Sequence, residues 1–126
     1  MSNRIEVTSG TLPPPAGSYS HGIIANGFLY TAGFGPKDAA GKIVGSTVSE
    51  QTRQVMRNIL SVLTANHMDA SHIVKATVHL ADLSDFAEFN AAYKEFLIEP
   101  YPVRTTVGSN LANILVEIDV VAVVPQ

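Results

Sequence analysis

The segment from Ile114 to Val124, ILVEIDVVAVV, decides the fold because it has the pattern of one long strand with two different faces. Successive side chains of a strand point to opposite sides of a sheet. One side is entirely apolar and consists of Val116, Ile118, Val120, Ala122 and Val124. The other side consists of Leu115, Glu117, Asp119, Val121 and Val123. The apolar side predicts a surface covered by helices, and the mixed side is typical of a homo-oligomer interface that keeps a wet pocket.

The rest of the chain supplies further strands and two helices for this sheet. Asn26-Gly27 lies between two apolar runs and favours the positive φ angles of a two-residue hairpin turn. The predicted strands span residues 5–8, 21–25, 28–33, 73–81, 103–108 and 114–124. Thr47 and Glu50 form a capping box that begins a helix ending near Asn66. A second helix is expected over about residues 83–97, before Pro100 and Pro102.

Periodicity assigns the buried side of each helix and of the central strand. In the first helix the apolar residues at helical spacing are Val48, Val55, Ile59, Val62 and Leu63. In the second helix they are Phe86, Phe89, Tyr93 and Phe96. The strand alternates between an apolar side, with Val74, Ala76, Val78 and Leu80, and a polar side, with Lys75, Thr77 and His79. These patterns predict one two-layer α+β domain over residues 1–126, with both helices on one face of the sheet.

Composition limits the classes of partner. The chain has 126 residues, a formal charge of −3 and no cysteine. Its eight Lys and Arg are scattered singly, so no phosphate-binding stripe for nucleic acid is expected. Residues 1–15 lack the apolar core of a signal peptide, and no stretch approaches the ~18 apolar residues of a membrane span. We expect a cytoplasmic protein whose partners include neither nucleic acid nor a membrane.

Arg104 and Glu117 are the central charges of the expected small-molecule site. Arg104 shares a strand face with Thr106, and its guanidinium can hold a carboxylate through two parallel hydrogen bonds. Glu117 and Asp119 lie on one strand face, and a carboxylate in a partly apolar cleft can move a proton or orient a water. Spacing alone favours a different interpretation, in which Arg104 pairs with Glu117 or Asp119 as a structural or interface salt bridge.

The histidines are weaker candidates for chemistry. Ser20 and His21 are adjacent, so on a strand they point to opposite faces and cannot pair as nucleophile and base. We expect His21 at the surface or in an interface. His67, His72 and His79 lack ligand spacing on a shared element, so a zinc site is not expected. His79 is the histidine of interest, because it lies on the polar side of its strand.

Three further features have simple structural interpretations. Gly33-Phe34-Gly35 is followed by Pro36 and by no helix, which predicts a turn and argues against a phosphate-binding loop. Tyr19, after the proline-rich loop, and Asn90, in the second helix, could contact a ligand. Packing for Tyr19 and a solvated position for Asn90 are favoured when each residue is considered alone.

Six motifs follow one another along nearly the whole chain. They are Gly17-Ser-Tyr19-Ser-His-Gly22, Asn26-Gly-Phe-Leu-Tyr-Thr-Ala-Gly33, Asp82-Leu-Ser-Asp-Phe86, Asn90-Ala-Ala-Tyr93, Pro102-Val-Arg104 and Val116-Glu-Ile118. Together they resemble the Rid family of reactive-intermediate imine deaminases. The most specific part is a Pro-x-Arg segment followed by an apolar-Glu-Ile strand, which here contains Arg104 and Glu117.

The resemblance implies a chorismate-mutase-like fold with a mixed sheet, assembled as a homotrimer with its sites in the clefts between subunits. It implies hydrolysis of 2-imino acids or their enamines, such as 2-iminobutanoate and 2-iminopropanoate, to 2-oxo acids and ammonia, without metal or organic cofactor. Arg104 would bind the substrate carboxylate, and Glu117 would position and help deprotonate the attacking water. Tyr19 and Asn90 would line the pocket.

Two departures from the family pattern bear on the substrate. Thr105-Thr106 stands where deaminating members usually have Ser-Cys, and Ala32 stands where Ser is common. Ala32 and Thr106 would therefore change the lining of the pocket, and either shift the substrate range or weaken activity. The alternative function is a non-catalytic module that binds a small carboxylate at Arg104. A nuclease or translation-inhibitor activity, associated with some relatives, is disfavoured by the acidic charge balance.

Overall fold

The computed structural model describes residues 3–126 and contains a six-stranded sheet with two α-helices. The strands are β1 Ile5–Val7, β2 Gly22–Ala25, β3 Phe28–Thr31, β4 Ile73–Leu80, β5 Val103–Gly108 and β6 Val116–Val123. The helices are α1 Val48–Ala65 and α2 Phe86–Lys94. One-turn 3₁₀ helices at Ala70–His72 and Leu83–Asp85 precede β4 and α2, respectively. The predicted α+β class and each predicted element are confirmed.

The sheet is mixed, with the strand order β1-β2-β3-β6-β4-β5. β4 and β5 run parallel, and every other neighbouring pair is antiparallel. Parallel neighbours need a crossover connection, and here α2 lies between β4 and β5 in the chain. β5 consequently lies at one edge of the sheet, beside the helix that precedes it.

Local sequence signals explain where the hairpin and the long helix begin. Asn26 and Gly27 adopt φ angles of 52° and 81°, as the two-residue turn between β2 and β3 requires. The Thr47 side chain accepts a hydrogen bond from the Glu50 amide, and the Glu50 carboxylate accepts one from the Thr47 amide. This capping box satisfies amides that would otherwise lack partners, so α1 starts at Val48.

Both helices pack on one face of the sheet, as predicted from the alternation of β6. Val116, Ile118, Val120 and Ala122 are buried under the helices, while Glu117 and Asp119 are partly exposed on the opposite, open face. The predicted apolar residues of α1 are all buried, namely Val48, Val55, Ile59, Val62 and Leu63. Burial of such a stripe is the main source of helix stability in a small domain.

A β-bulge overturns one prediction for β4. Val74 was expected under the helices, but it is 40% exposed, and Ile73 is buried in its place. The pairing of β4 with β6 passes from Ile73 opposite Ala122 to Lys75 opposite Val121, so two residues of β4 take up one step of β6. An extra residue of this kind reverses the sides of the residues before it. From Lys75 onward the predicted alternation holds.

The second helix is shorter than predicted. Residues 83–85 form a 3₁₀ turn in which the Asp82 carboxylate accepts a hydrogen bond from the Ser84 amide, and regular α-helix runs only to Lys94. Phe89 and Tyr93 are buried, but Phe86 at the first position is 39% exposed and Phe96 lies beyond the helix. Phe89 and Tyr93 are therefore the fully buried members of the stripe, and Phe96 packs against the core from beyond the end of the helix.

Candidate functional site

The register of β5 places Arg104 on the helix-covered side of the sheet. Arg104 lies opposite Ala76 of β4, which is buried under the helices. Glu117 lies opposite His79, which is on the open face. Paired residues of neighbouring strands point to the same side, and Ala76 and His79 are an odd number of residues apart. Arg104 and Glu117 therefore extend to opposite faces, which corrects the expectation that one polar sheet face holds both.

Arg104 is held by side chains of α2. Its Nη1 donates a 2.7 Å hydrogen bond to Oδ1 of Asn90. Its guanidinium carbon lies 5.2, 5.7 and 5.0 Å from the ring centroids of Phe86, Phe89 and Tyr93. These separations are typical of cation–π contacts, which stabilise a guanidinium away from bulk water. Asn90 is thus a partner of the arginine, and the interpretation of Asn90 as a merely solvated residue is wrong.

The side chain of Arg104 lines a cleft of about 280 Å³, which we call the Arg104 cleft. Its lining residues are Asn90, Tyr93, Lys94, Tyr101, Pro102 and Arg104. Burial raises the pKa of Tyr93, and the neighbouring Arg104 charge partly offsets this rise. The Tyr93 hydroxyl and the Thr106 hydroxyl are buried without a hydrogen-bond partner among residues 3–126. The side of the sheet that holds Arg104 thus has spare hydrogen-bonding capacity.

Glu117 lines a second cleft of about 260 Å³, which we call the Glu117 cleft. Its lining includes Tyr19, His21, Gly33, Asn58 and Ile114, together with residues of the proline-rich loop. Gly33 lies so close to Glu117 that a Cβ added there would be 2.7 Å from Oε2. Phe34 and Ile118 exchange two backbone hydrogen bonds, of 2.8 and 3.2 Å, beside that contact. The turn predicted at residues 33–35 does not form, because Phe34 pairs with Ile118 as an isolated antiparallel bridge. Gly33, next to this bridge, presents bare backbone to the carboxylate.

His21 is buried, which contradicts the prediction of a surface or interface histidine. Its imidazole is held in place because Nε2 lies 2.8 Å from the Pro13 carbonyl oxygen. The ring also packs edge-on against Phe34, with the two ring centroids 6.3 Å apart. This hydrogen bond holds the proline-rich loop against the sheet. Tyr19, at the end of the same loop, is 52% exposed, and its hydroxyl accepts a hydrogen bond from the Ala16 amide at 3.1 Å.

Two amides of α1 that the sequence reasoning missed anchor the loops around the Glu117 cleft. Asn58 donates hydrogen bonds to the carbonyls of Gly35 and Lys37, at 3.1 and 2.9 Å. Gln51 accepts a hydrogen bond from the Leu115 amide at 2.8 Å and donates one to the Gly45 carbonyl at 3.1 Å. Both side chains are buried. They lie seven residues apart along the apolar stripe of α1, and polar residues in such a stripe were the available signal.

Four of the six predicted site residues divide between the two clefts, whereas Ala32 and Thr106, which were expected to line the pocket, line neither cleft of this chain. Asn90 lines the Arg104 cleft, and Thr106 shares its face of the sheet. Tyr19 lines the Glu117 cleft, and Ala32 packs against the core next to Gly33. Within residues 3–126 Arg104 forms no salt bridge with Glu117 or Asp119, so the interpretation based on spacing alone does not hold inside this chain.

The open face carries a second polar group beside Glu117. Asp119 lies opposite Thr77, and burial raises the pKa of its carboxyl, while the charges of His79 and Lys75 partly lower it. Nδ1 of His79 lies 2.7 Å from the Ser109 hydroxyl. In residues 3–126 no group of three or more His, Cys, Asp or Glu side chains is arranged to hold a metal ion. The same part of the chain has no helix long and apolar enough to cross a membrane.

Comparison with known proteins identifies the family. The family model described as Endoribonuclease L-PSP matches residues 9–124. The chain belongs to this family. It is 42% identical over 117 residues to the putative regulator AldR of Lactococcus lactis, covering 89% of this chain and 93% of that protein. It is 36% identical over 119 residues to Reactive Intermediate Deaminase A of the Arabidopsis thaliana chloroplast, covering 92% of this chain and 64% of that protein.

Solved structures agree with this assignment. The crystal structure of Escherichia coli TdcF with bound serine superimposes with a TM-score of 0.86 and 28% identity, covering 94% of this chain and 98% of TdcF. The resemblance to the Rid family that the motifs indicated is thereby confirmed, as is the fold. Membership supports a Rid-type reactive-intermediate deaminase at the general level.

Proposed function

We propose that the protein hydrolyses small reactive 2-imino acids and their enamines, of the 2-iminobutanoate and 2-iminopropanoate type, to 2-oxo acids and ammonia. The observation that carries the proposal is the environment of Arg104. A guanidinium has five N–H donors, and the hydrogen bond to Asn90 uses one of them. The aromatic rings and Asn90 hold the group in one position, which suits bidentate binding of a substrate carboxylate.

In the proposed reaction Glu117 acts on water. Its carboxylate accepts a proton from the water as the oxygen attacks the imine carbon, giving a carbinolamine. Glu117 then returns this proton to the nitrogen, and the C–N bond breaks as the carbinolamine hydroxyl loses its own proton to form the carbonyl, so that the 2-oxo acid forms and ammonia leaves with that proton as ammonium. A cationic iminium is already electrophilic, and we propose that the reaction needs neither metal nor organic cofactor. Holding the substrate carboxylate beside an oriented water supplies much of the rate acceleration.

The two clefts would form one site only between subunits. Arg104 and Glu117 lie on opposite sides of the same sheet, so no movement of side chains within one chain can bring them to one substrate. β5 is one of the two edge strands, and the open face bears exposed apolar residues, including Phe28, Val107 and Val123. Both features suit packing of a second copy. We therefore propose a homotrimer in which the Arg104 cleft of one subunit meets the Glu117 cleft of the next.

The direct test generates 2-iminobutanoate in situ and follows its decay with and without the protein. We expect micromolar protein to accelerate the decay. Arg104→Ala should abolish the acceleration, whereas Arg57→Ala, which removes the same charge from an exposed position on α1, should preserve it. Decay at the uncatalysed rate with the wild-type protein would refute the proposed reaction.

A non-catalytic binding module is the second candidate, because the relative AldR is named a putative regulator. Such a module would use the Arg104 cleft to sense a small carboxylate metabolite. Calorimetry with 2-oxobutanoate distinguishes the two functions. Binding that depends on Arg104 without any turnover of the imine would favour the module.

Compartment and nucleic-acid binding complete the proposal. We propose a cytoplasmic protein. Relatives named as mitochondrial and chloroplastic exist, and fractionation of the source cells tests the localisation.

An RNA-directed activity, suggested by the family description, is disfavoured by the formal charge of −3. Salt-sensitive RNA binding would revive it.

A further inference from the structure

Lys94 places a second cation at the Arg104 cleft. It lies four residues after Asn90 on α2, so both side chains extend from the same side of the helix. Asn90 contacts Arg104 directly, and Lys94 lines the cleft that contains both. The lining contains no acidic residue of the same chain, so the part of the site that one chain supplies here has two positive charges and no negative one.

The neighbouring carboxylate is occupied elsewhere, which leaves Lys94 available to a ligand. Glu95 accepts hydrogen bonds from Nε and Nη2 of Arg53 on α1, at 3.1 and 3.0 Å. Among residues 3–126 no carboxylate oxygen lies within 4 Å of the Lys94 ammonium. Of the two cations that line the cleft, Lys94 is exposed to solvent and Arg104 is half-buried.

We propose that the protein prefers 2-imino acids and 2-oxo acids that carry a second acidic group. Arg104 holds the α-carboxylate, and Lys94 attracts the second carboxylate at the mouth of the cleft. The inference rests on the proposed function, because it takes Arg104 as the binding group for the α-carboxylate.

The test compares 2-oxoglutarate with 2-oxopentanoate, two five-carbon ligands that differ in a terminal carboxylate or methyl group. Calorimetry should give a Kd about two- to five-fold lower for 2-oxoglutarate, the size expected of one exposed charge pair. Raising the salt concentration should narrow this ratio, because exposed pairs are screened. Lys94→Gln should bring the ratio close to one, and Lys94→Arg should restore it.

Matched controls separate this inference from the proposed function. Arg57→Gln removes one positive charge at an exposed site outside both clefts and should leave the ratio of the two Kd values unchanged. Equal affinity for the two ligands, with binding that still depends on Arg104, would overturn the dicarboxylate preference alone. A ratio that survives Lys94→Gln would also overturn it. Absence of Arg104-dependent binding of either ligand would instead contradict the proposed function.

Discussion

The Arg104 cleft is assembled from side chains, whereas the core of the Glu117 cleft is backbone. Asn90 and three aromatic rings of the α2 region surround the guanidinium. Glu117 instead lies against Gly33, next to the backbone hydrogen bonds between Phe34 and Ile118. The first cleft should therefore be damaged by removing side-chain atoms. The second should be damaged by adding them.

The two clefts also place their charged residues on opposite faces of the sheet. β4 lies between β5 and β6, and its alternate residues mark the two sides, with Ala76 toward Arg104 and His79 toward Glu117. A strand with this alternation keeps the two charges apart however their side chains rotate. Each chain consequently contributes the Arg104 cleft to one proposed site and the Glu117 cleft to another. A substitution can inactivate either cleft without affecting the other.

The largest expected effect comes from mixing two inactive variants. Arg104→Ala and Glu117→Ala should each lower kcat/KM at least ~10²-fold, as loss of a positioned charged group does. In a symmetric oligomer with random mixing, about one quarter of the shared sites combine an intact Arg104 with an intact Glu117. Co-expressed subunits with different tags should therefore regain about one quarter of wild-type activity. Mixed oligomers as inactive as the parents would contradict a shared site.

Adding one methyl group at Gly33 should damage the Glu117 cleft. The new Cβ would lie 2.7 Å from Oε2, 2.9 Å from Cδ and 3.1 Å from Cγ of Glu117, so the carboxylate must move. Displacing a catalytic group by about 1 Å can cost ~10² in rate, and Gly33→Ala should lower kcat by that order. Gly10→Ala is the control, because a Cβ there has no atom within 4 Å. Unchanged kcat with an unchanged thermal midpoint would show that Glu117 needs no such contact.

Removing the Asn90 amide should weaken the Arg104 cleft more mildly. Asn90→Ala deletes the 2.7 Å hydrogen bond to Nη1 but leaves the three rings in place. A hydrogen bond to a charged group contributes roughly 1.5–3 kcal/mol, so KM should rise about ten-fold or more. Steady-state kinetics measures this against Gly33→Ala, which should act mainly on kcat. A fall in kcat with unchanged KM would assign Asn90 a different role.

Much of the fold could be predicted because its signals are local. The alternation of β6, the Asn26-Gly27 turn and the Thr47 capping box each act over a few residues, and each formed as expected. The side of Val74 could not be predicted, since the bulge that reverses it depends on the pairing of β4 with β6. The alternation of a strand can be read from its own residues, whereas its register depends on the strand with which it pairs.

The candidate site was predictable residue by residue but not as an arrangement. Arg104, Asn90 and Glu117 were identified from motifs, but the face occupied by Arg104 depends on how β5 pairs with β4. His21 was misplaced because its burial depends on the Pro13 carbonyl, which a loop eight residues away supplies. Gln51 and Asn58 could have been noticed as polar residues within the apolar stripe of α1. The loops that their amides anchor could not be predicted, because those contacts depend on the tertiary fold.

Asp119 provides the smallest expected effect, on the open face near but outside the Glu117 cleft. Burial raises its pKa, so the folded chain holds its proton more tightly than the unfolded chain does. Ionised Asp119 therefore costs stability at pH 7, and this cost disappears as the pH falls below the ordinary Asp value of about 3.9. Asp119→Asn should raise the thermal midpoint slightly at pH 7, with a difference that shrinks toward pH 3. A lowered midpoint at pH 7 would contradict this prediction and would show that the charges of His79 and Lys75 outweigh the cost of burying the ionised carboxyl.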